Sequence, residues 1–341
     1  MNNFARLNAN ENLLGPSPVA LEAILEAATN VHVYPLDEGL ALREKLAARI
    51  GGSVSAENFV IGNGSGDILR MIIQTYVLPG SEVIIPSPTF ISYKRLTGVH
   101  RGRVIEVPLI EYQVDLLGIV DVITPATTLI FLCNPNNPTG QIVTHEQMGA
   151  LLAQIPDHVT VVVDEAYVDF ATDPRFPNMI EFIDAGYNVI VVRTFSKVYG
   201  LASLRVGYGY GQKEAVTRIR NTRHFSDSGR MAYLGAAAAL TDEAHIVNTQ
   251  EMVISGRDYF YVELAKLGLS FLRSEGFFVL LTDLPLDAQF IVDEAHKHGV
   301  LIRHTDVFDM PGYVRISIGR KQDNERAIAA LRSILTENGL L

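Results

Sequence analysis

The sequence predicts an α/β protein built on a mainly parallel sheet flanked by helices, with a smaller α+β domain following it. Two patterns carry that reading. From about residue 56 to residue 210, short runs apolar on every residue, not on alternate ones, recur between amphipathic segments. Such strands are covered on both faces, as in a parallel sheet packed between helices. Beyond about residue 230 the texture changes to longer helical patterns separated by three short strands, an α+β arrangement. At 341 residues and 48% hydrophobic composition the chain can bury a sizeable core without a disulfide framework or structural metal. Its single cysteine excludes an internal disulfide.

Taken in order, the segment up to Pro18 is an arm rich in Asn, Gly and Pro, and a helix is expected over Pro18–Ala28. Strands are expected at 59–61, 83–85, 129–132, 159–163 and 189–192, with helices at 67–77 and 145–154 between them. Thr144 and Gln147 can form a capping box at the start of the second helix. Gly207-Tyr208-Gly209-Tyr210-Gly211 reads as strand and turn with no helix pattern immediately behind it, and no ligand is assigned to it. Helices follow at 230–240, 242–267, 286–298 and 324–336, and strands at 277–281, 300–303 and 313–318. The expected division places a large domain at 30–230, with the arm and first helix, 1–29, joining a small domain at 231–341.

Lys plus Arg total 28 against 38 Asp plus Glu, a net charge of −10. That excess argues against non-specific binding to nucleic acid or an anionic membrane, both of which need a positive field. No uncharged apolar run reaches the roughly 18 residues a bilayer span needs. With one cysteine and no secretory pattern at the start, a cytoplasmic protein with a small-molecule partner is expected.

Lys197, in Arg193-Thr194-Phe195-Ser196-Lys197, lies just past the carboxyl end of a buried strand. Partial burial lowers a lysine's pKa, which suits imine formation with a carbonyl cofactor; the alternative is a surface loop lysine. Asp164, ending the run Val161-Val162-Val163, can pair with a protonated ring nitrogen or cap a helix, and Tyr167 follows three residues on. Cys133-Asn134-Pro135-Asn136-Asn137-Pro138-Thr139-Gly140 is a constrained turn that fixes Asn137, whose amide can donate to a ring oxygen or serve the turn alone. Gly62-Asn63-Gly64-Ser65-Gly66-Asp67 joins a strand to a helix and can cradle an anion, or is a bare glycine turn. It is neither a Walker A sequence nor a full dinucleotide fingerprint. Arg205, Thr194 and Ser196 can close on a phosphate with it. Arg315, in a small-domain strand, either pairs with a buried carboxylate or meets an anionic ligand, and Arg303 shares that ambiguity. His296 and His298, two apart on a helix, fall on different faces, so no metal site is expected. Cys133 reads as a buried strand residue.

The ordered set of Asn137 in Asn-Pro-Asn-Asn-Pro-Thr-Gly, Asp164 and Tyr167 in Asp-Glu-Ala-Tyr, Lys197 in Thr-Phe-Ser-Lys, and Arg205 resembles the class I/II aminotransferases. These are pyridoxal 5'-phosphate enzymes of fold type I, whose large domain holds a mainly parallel seven-stranded sheet. The opening Leu7-Asn8-Ala9-Asn10-Glu11-Asn12, Gly15-Pro16-Ser17-Pro18 and Tyr34-Pro35 is similar to the histidinol-phosphate branch, and the similarity runs from about residue 7 to residue 335. The resemblance implies that Lys197 carries the cofactor and moves the proton, that Asp164 holds its ring nitrogen, and that Asn137 and Tyr167 bind its ring oxygen. Ser65, Gly66, Thr194, Ser196 and Arg205 would bind its phosphate, and Phe90 would stack on its ring where a tyrosine is common. Tyr34 would reach the neighbouring subunit's site, implying a homodimer. Arg315, with Arg303 and Asn10, would bind substrate: histidinol phosphate as amino donor and 2-oxoglutarate as acceptor. An aromatic or other amino donor, a decarboxylase of a phosphorylated amino acid, and a non-catalytic or dinucleotide-binding α/β domain that merely uses the glycine turn at 62–66 are the competing readings. Two departures bear on the donor. Asn12-Leu13-Leu14 stands where a tyrosine is usual, and 223–228 fits poorly to the usual Pro-Tyr-Asn run.

Overall fold

A computed structural model describes residues 4–223 and 228–341; most of the unusual 223–228 segment thus lies outside the described residues. The arm is extended, and Ala5–Arg6 pairs in parallel with Val300–Leu301. Helix α1 (Pro18–Ala28) begins at Ser17, whose buried hydroxyl accepts from the Ala20 N–H, with Pro18 where its missing N–H leaves nothing unpaired. Helix α2 (Glu38–Ile50) follows, and α1 packs on α9 (Arg230–Ala239).

The central sheet has seven strands: β1 (Phe59–Gly62), β2 (Glu82–Ser87), β3 (Arg103–Pro108), β4 (Thr127–Cys133), β5 (Thr160–Asp164), β6 (Val189–Thr194) and β7 (Gly207–Gly211). Their order is β1-β7-β6-β5-β4-β2-β3, and only β7 runs antiparallel to its neighbours. Connections run through α3 (Ser65–Tyr76), α4 (Ser92–Val99), α5 (Leu116–Asp121), α6 (His145–Leu152) and α7 (Met179–Asp184), and α8 (Lys213–Arg220) follows β7. The continuous apolar runs have a direct cause. Val161 and Val163 enter one core while Val162 enters the other, and Ile130 and Leu132 alternate with Leu129 and Phe131 in the same way. Both faces are covered, so neither set of alternate residues can be polar.

The smaller sheet is antiparallel, ordered β10-β11-β9-β8 from β8 (Ser270–Leu272), β9 (Phe278–Thr282), β10 (Arg303–His304) and β11 (Val314–Ser317). It is accompanied by α10 (Glu243–Lys266), α11 (Ala288–Lys297) and α12 (Lys321–Glu337). Thr144 and Gln147 form the capping box of α6.

Two expectations change, and one strand stands where none was expected. The strand expected at 300–303 divides, because Val300–Leu301 pairs with the arm whereas Arg303–His304 pairs with β11. A helix does follow the second glycine cluster: α8 buries only Ala215, Val216 and Ile219 in an otherwise polar octet, too little apolar periodicity to read. Strand β3 is an edge strand carrying Arg103, Glu106 and Pro108, which blunt an open edge and disguise the pattern.

The alternation in β7 is structural. Its tyrosines enter the core, Tyr210 stacking on Phe59 at 5.5 Å and Tyr208 meeting Phe195 at 5.7 Å. Gly207 and Gly209 lie against α3, where a Cβ at Gly207 would meet the Ser65 nitrogen, whereas Gly211 lies against Val189 and Ile190 of β6. The close approach of β7 therefore seats the first turn of α3. Replacing Gly207 with Ala forces backbone apart, and a loss of about 2 kcal/mol in denaturant unfolding is expected, with weakened anion binding at α3.

Candidate active site

Parallel strands present their carboxyl ends at one edge, and β4, β5 and β6 deliver Cys133, Asp164 and Thr194 there. A cavity of about 390 Å³ opens at that edge. Ser65, Gly66, Phe90, Asn137, Asp164, Tyr167, Thr194, Ser196, Lys197 and Arg205 all line it, joined by Ala9, Glu11, Ser92, Cys133, Ala166 and Ala202.

One end is an anion cradle. Gly64 precedes α3 with φ 79 and ψ 170, a conformation only glycine adopts readily. The N–H groups of Ser65 and Gly66 then lead the helix, where its dipole favours negative charge. The Arg205 guanidinium lies directly over Gly64, since a Cβ there would fall 2.4 Å from its Nη2. Thr194 Oγ1 donates to Ser196 Oγ at 2.9 Å and accepts from the Ser196 N–H at 3.1 Å, so both hydroxyls are held at the same mouth.

At the cavity floor Asp164 is buried. Its Oδ1 accepts from the Ala166 N–H at 3.2 Å and its Oδ2 from the Tyr93 hydroxyl at 2.8 Å. Burial pushes the carboxyl up to about 6, against the opposing pull of the Tyr93 hydrogen bond and the Lys197 charge. Asp164 caps no helix; the following short turn, Val168–Phe170, starts from Tyr167. The 134–140 turn is held by side chains imitating backbone: Asn134 exchanges two hydrogen bonds with Val143, and Asn136 accepts from Thr89 Oγ1 at 2.7 Å. Cys133 is buried and its thiol donates to the Pro135 carbonyl at 3.3 Å.

Lys197 Nζ donates to the Asn10 carbonyl at 2.9 Å and lies 5.6 Å from the centre of the Tyr167 ring. Burial first, then the charge of Arg315, lowers its pKa to about 7. The Asn10 amide donates to the Tyr167 hydroxyl at 2.8 Å, and burial raises that phenol to about 12, so it stays protonated. Arg315 is buried between the rings of Phe278 and Phe308, at 5.1 and 5.3 Å. Its Nη1 donates to Asn137 Oδ1 at 2.6 Å and its Nη2 to the Asn8 carbonyl at 3.1 Å, while its Nε has no hydrogen-bond partner among the described residues. Burial lowers its pKa to about 10. Arg303 stands opposite Arg315 across β10 and β11. Among the described residues neither arginine is paired with a carboxylate. Tyr34 is 69% exposed and lies in a separate concavity with Val31, His32, Ser228 and Arg230.

Four contributors escaped the sequence reading. Tyr93 had an available signal, because it stands one helical turn after Phe90. Phe278, Phe308 and Ser317 had none, since only the tertiary structure brings them to Arg315 and Asn10.

A family profile described as Aminotransferase class I and II matches residues 2–331. The chain belongs to that family. A histidinol-phosphate aminotransferase from Moorella thermoacetica is 41% identical over 331 residues, 97% of this chain and 85% of that one. The crystal structure of histidinol-phosphate aminotransferase from Sinorhizobium meliloti in complex with pyridoxal-5'-phosphate superposes with a TM-score of 0.90 at 30% identity, covering 98% of this chain and 92% of the other. Aspartate aminotransferase from Thermus thermophilus with maleate has a TM-score of 0.86 at 25% identity, covering 98% and 92%. The family works with pyridoxal 5'-phosphate. This aminotransferase's cavity fits that group on its donor chemistry: an anion cradle at one end, a buried carboxylate at the floor, and an amine that is half neutral near neutral pH.

Two outcomes are expected. Gly64→Ala strains the turn and displaces Arg205, so titration of the apo-protein with pyridoxal phosphate should show about tenfold weaker binding. Because the pKa of Lys197 is near 7 rather than 10.5, its neutral fraction rises from about a tenth at pH 6 to about nine tenths at pH 8. Stopped-flow capture of the cofactor should therefore speed up about tenfold over that range and then level; a rate still climbing at about pH 10 would mark an ordinary lysine.

Proposed function

We propose that this aminotransferase takes its amino group from histidinol phosphate and passes it to 2-oxoglutarate, acting as a cytoplasmic homodimer. The observation that carries the substrate reading is Arg315, buried and held among the described residues by neutral oxygens, with Arg303 opposite it. A guanidinium kept unpaired in a dry site is an anion receptor. The phosphate of the donor and a carboxylate of the acceptor can use it in turn. Relatives named histidinol-phosphate aminotransferase, 36 to 41% identical over 97% or more of this chain, support the choice of donor.

In this reading the anion cradle of Ser65, Gly66, Thr194, Ser196 and Arg205 binds the phosphate of the cofactor, and Phe90 packs on its ring. Asp164 holds a proton on the ring nitrogen, while Tyr167 and Asn137 donate to the ring oxygen. When bound, the cofactor supplies an electron sink for the bond broken at the donor carbon. Lys197, its Nζ close to neutral pKa, removes the proton from that carbon and returns it on the other side of the exchange. Asn10 orients that amine and the Tyr167 hydroxyl together. Tyr34, exposed on its own chain, completes the site of the second subunit. The chain divides into a large domain at 30–230 and a small one formed by 1–29 with 231–341, so that the anion receptor and the lysine sit on different parts.

The test is a panel of donors mixed singly with the holoenzyme, including histidinol phosphate and phenylalanine, read by the shift of the cofactor's visible absorbance. Conversion by histidinol phosphate, restored by 2-oxoglutarate in ping-pong kinetics, is expected, with Lys197→Ala lowering turnover by about 10³-fold or more. Conversion by phenylalanine alone would transfer the assignment to aromatic donors. Release of carbon dioxide without any amino acceptor would make the enzyme a decarboxylase.

A further inference from the structure

Tyr93 lies in the first turn of α4 and is fully buried. Its hydroxyl donates to Asp164 Oδ2 at 2.8 Å, while Asp164 Oδ1 accepts from the Ala166 N–H at 3.2 Å. Each carboxylate oxygen thus has one protein donor. That fixes the plane of the group and leaves its remaining lone pairs to the cavity that Asp164 lines. The Tyr93 ring is itself immobilised: it stacks on Phe131 at 4.8 Å and 6°, and takes Phe90 edge-on at 5.6 Å. One turn of chain therefore carries both the aromatic wall of the cavity, Phe90, and the group that grips the acid at its floor.

The donor is of a kind that keeps its proton. Burial, then the Asp164 charge, pushes the Tyr93 phenol well above its ordinary pKa, and burial pushes the neighbouring Cys133 thiol up as well. Of these three contiguous groups only Asp164 ionises near neutral pH, and Tyr93 always presents a hydrogen to it.

We propose that Tyr93 is a positioning residue of this reaction, whose hydroxyl fixes the orientation of the Asp164 carboxylate and lowers its basicity, so that the shared proton stays on the ring nitrogen of the cofactor. The proposal rests on Asp164 being the partner of that nitrogen. Without the hydroxyl, a buried carboxylate that has lost one of its two donors becomes more basic and draws the proton towards itself. The ring then carries less positive charge and withdraws electrons less strongly.

The test is Tyr93→Phe, which keeps the ring and its stack on Phe131 and removes only the hydroxyl. The readouts are the pH midpoint of the visible absorbance of the bound cofactor, the Kd for pyridoxal phosphate, and kcat and KM separately. A less positive ring repels the proton at Lys197 Nζ less, so the midpoint should move up by about 0.5 unit or more, with cofactor binding several-fold weaker. A fall in kcat of about tenfold with donor KM changed less than about twofold is expected. Phe131→Leu retains the hydroxyl while loosening the packing, and should lower Tm with the midpoint unmoved. Asp164→Asn should displace the midpoint whether or not Tyr93 matters. A Tyr93→Phe enzyme with the wild-type midpoint and kcat overturns the proposal, as does a Phe131→Leu midpoint displaced equally. An unmoved midpoint in Asp164→Asn overturns instead the role given to Asp164.

Discussion

Charge kept out of water at the carboxyl edge of the large sheet is the constraint on which the rest of this molecule depends. Lys197 is lowered to about 7, Arg315 to about 10, and Asp164 raised to about 6, and in each case burial is the largest cause. A group buried in this way must have its hydrogen bonds met. Full ion pairs would meet them and leave the charges unavailable. Here the partners are neutral: the carbonyls of Asn10 and Asn8, the Asn137 side chain, the Tyr93 hydroxyl and the Ala166 N–H. Apart from Arg315 Nε, which has no partner among the described residues, neutral groups meet these charges and leave them poised, the condition that the proposed imine-forming lysine and anion receptor would both require.

Neutral partners must be placed accurately, and the N-terminal arm is one means of doing so. Asn10 adopts φ 52, a left-handed conformation that asparagine tolerates better than most residues. That turn lets its carbonyl face Lys197 while its amide faces Tyr167. Ser317 holds it in place, accepting from the Asn10 N–H at 2.9 Å and donating to Asn10 Oδ1 at 2.6 Å. Ser317 lies two residues from Arg315 on β11, so the arm, the small sheet and the lysine loop form one hydrogen-bonded unit. The same strand end that presents the arginine steadies the amine.

The net charge of −10 fits this arrangement. The surplus of carboxylates describes the surface as a whole, where salt screens fields beyond about 10 Å. Within the cavity the near charges decide: Arg205 and Lys197 line it together with the carboxyls of Glu11 and Asp164, and Arg315 lies beside it with Arg303 opposite. A small anion therefore meets grouped cations, Arg205 over the Gly64 turn or Arg315 opposite Arg303, on a protein whose overall charge disfavours polyanions.

The sequence by itself determined the parallel sheet and the strand ends that line the cavity. Val161-Val162-Val163 is apolar on every residue because both its faces are covered, and the first charge after it, Asp164, falls where the strand leaves the core. Lys197 and Asn137 were legible for the same reason, standing just beyond buried runs. Strand β3 and helix α8 were obscured because one is a charged edge and the other buries only three side chains. The tertiary structure alone decided how the charges are partnered. Tyr93 meets Asp164 across 71 residues, Lys197 meets Asn10 across 187, and Ser317 meets Asn10 across 307. Periodicity records whether a residue's own face is buried, a local property of helix or strand. It carries no information about which distant segment supplies the donor or acceptor once the residue is inside.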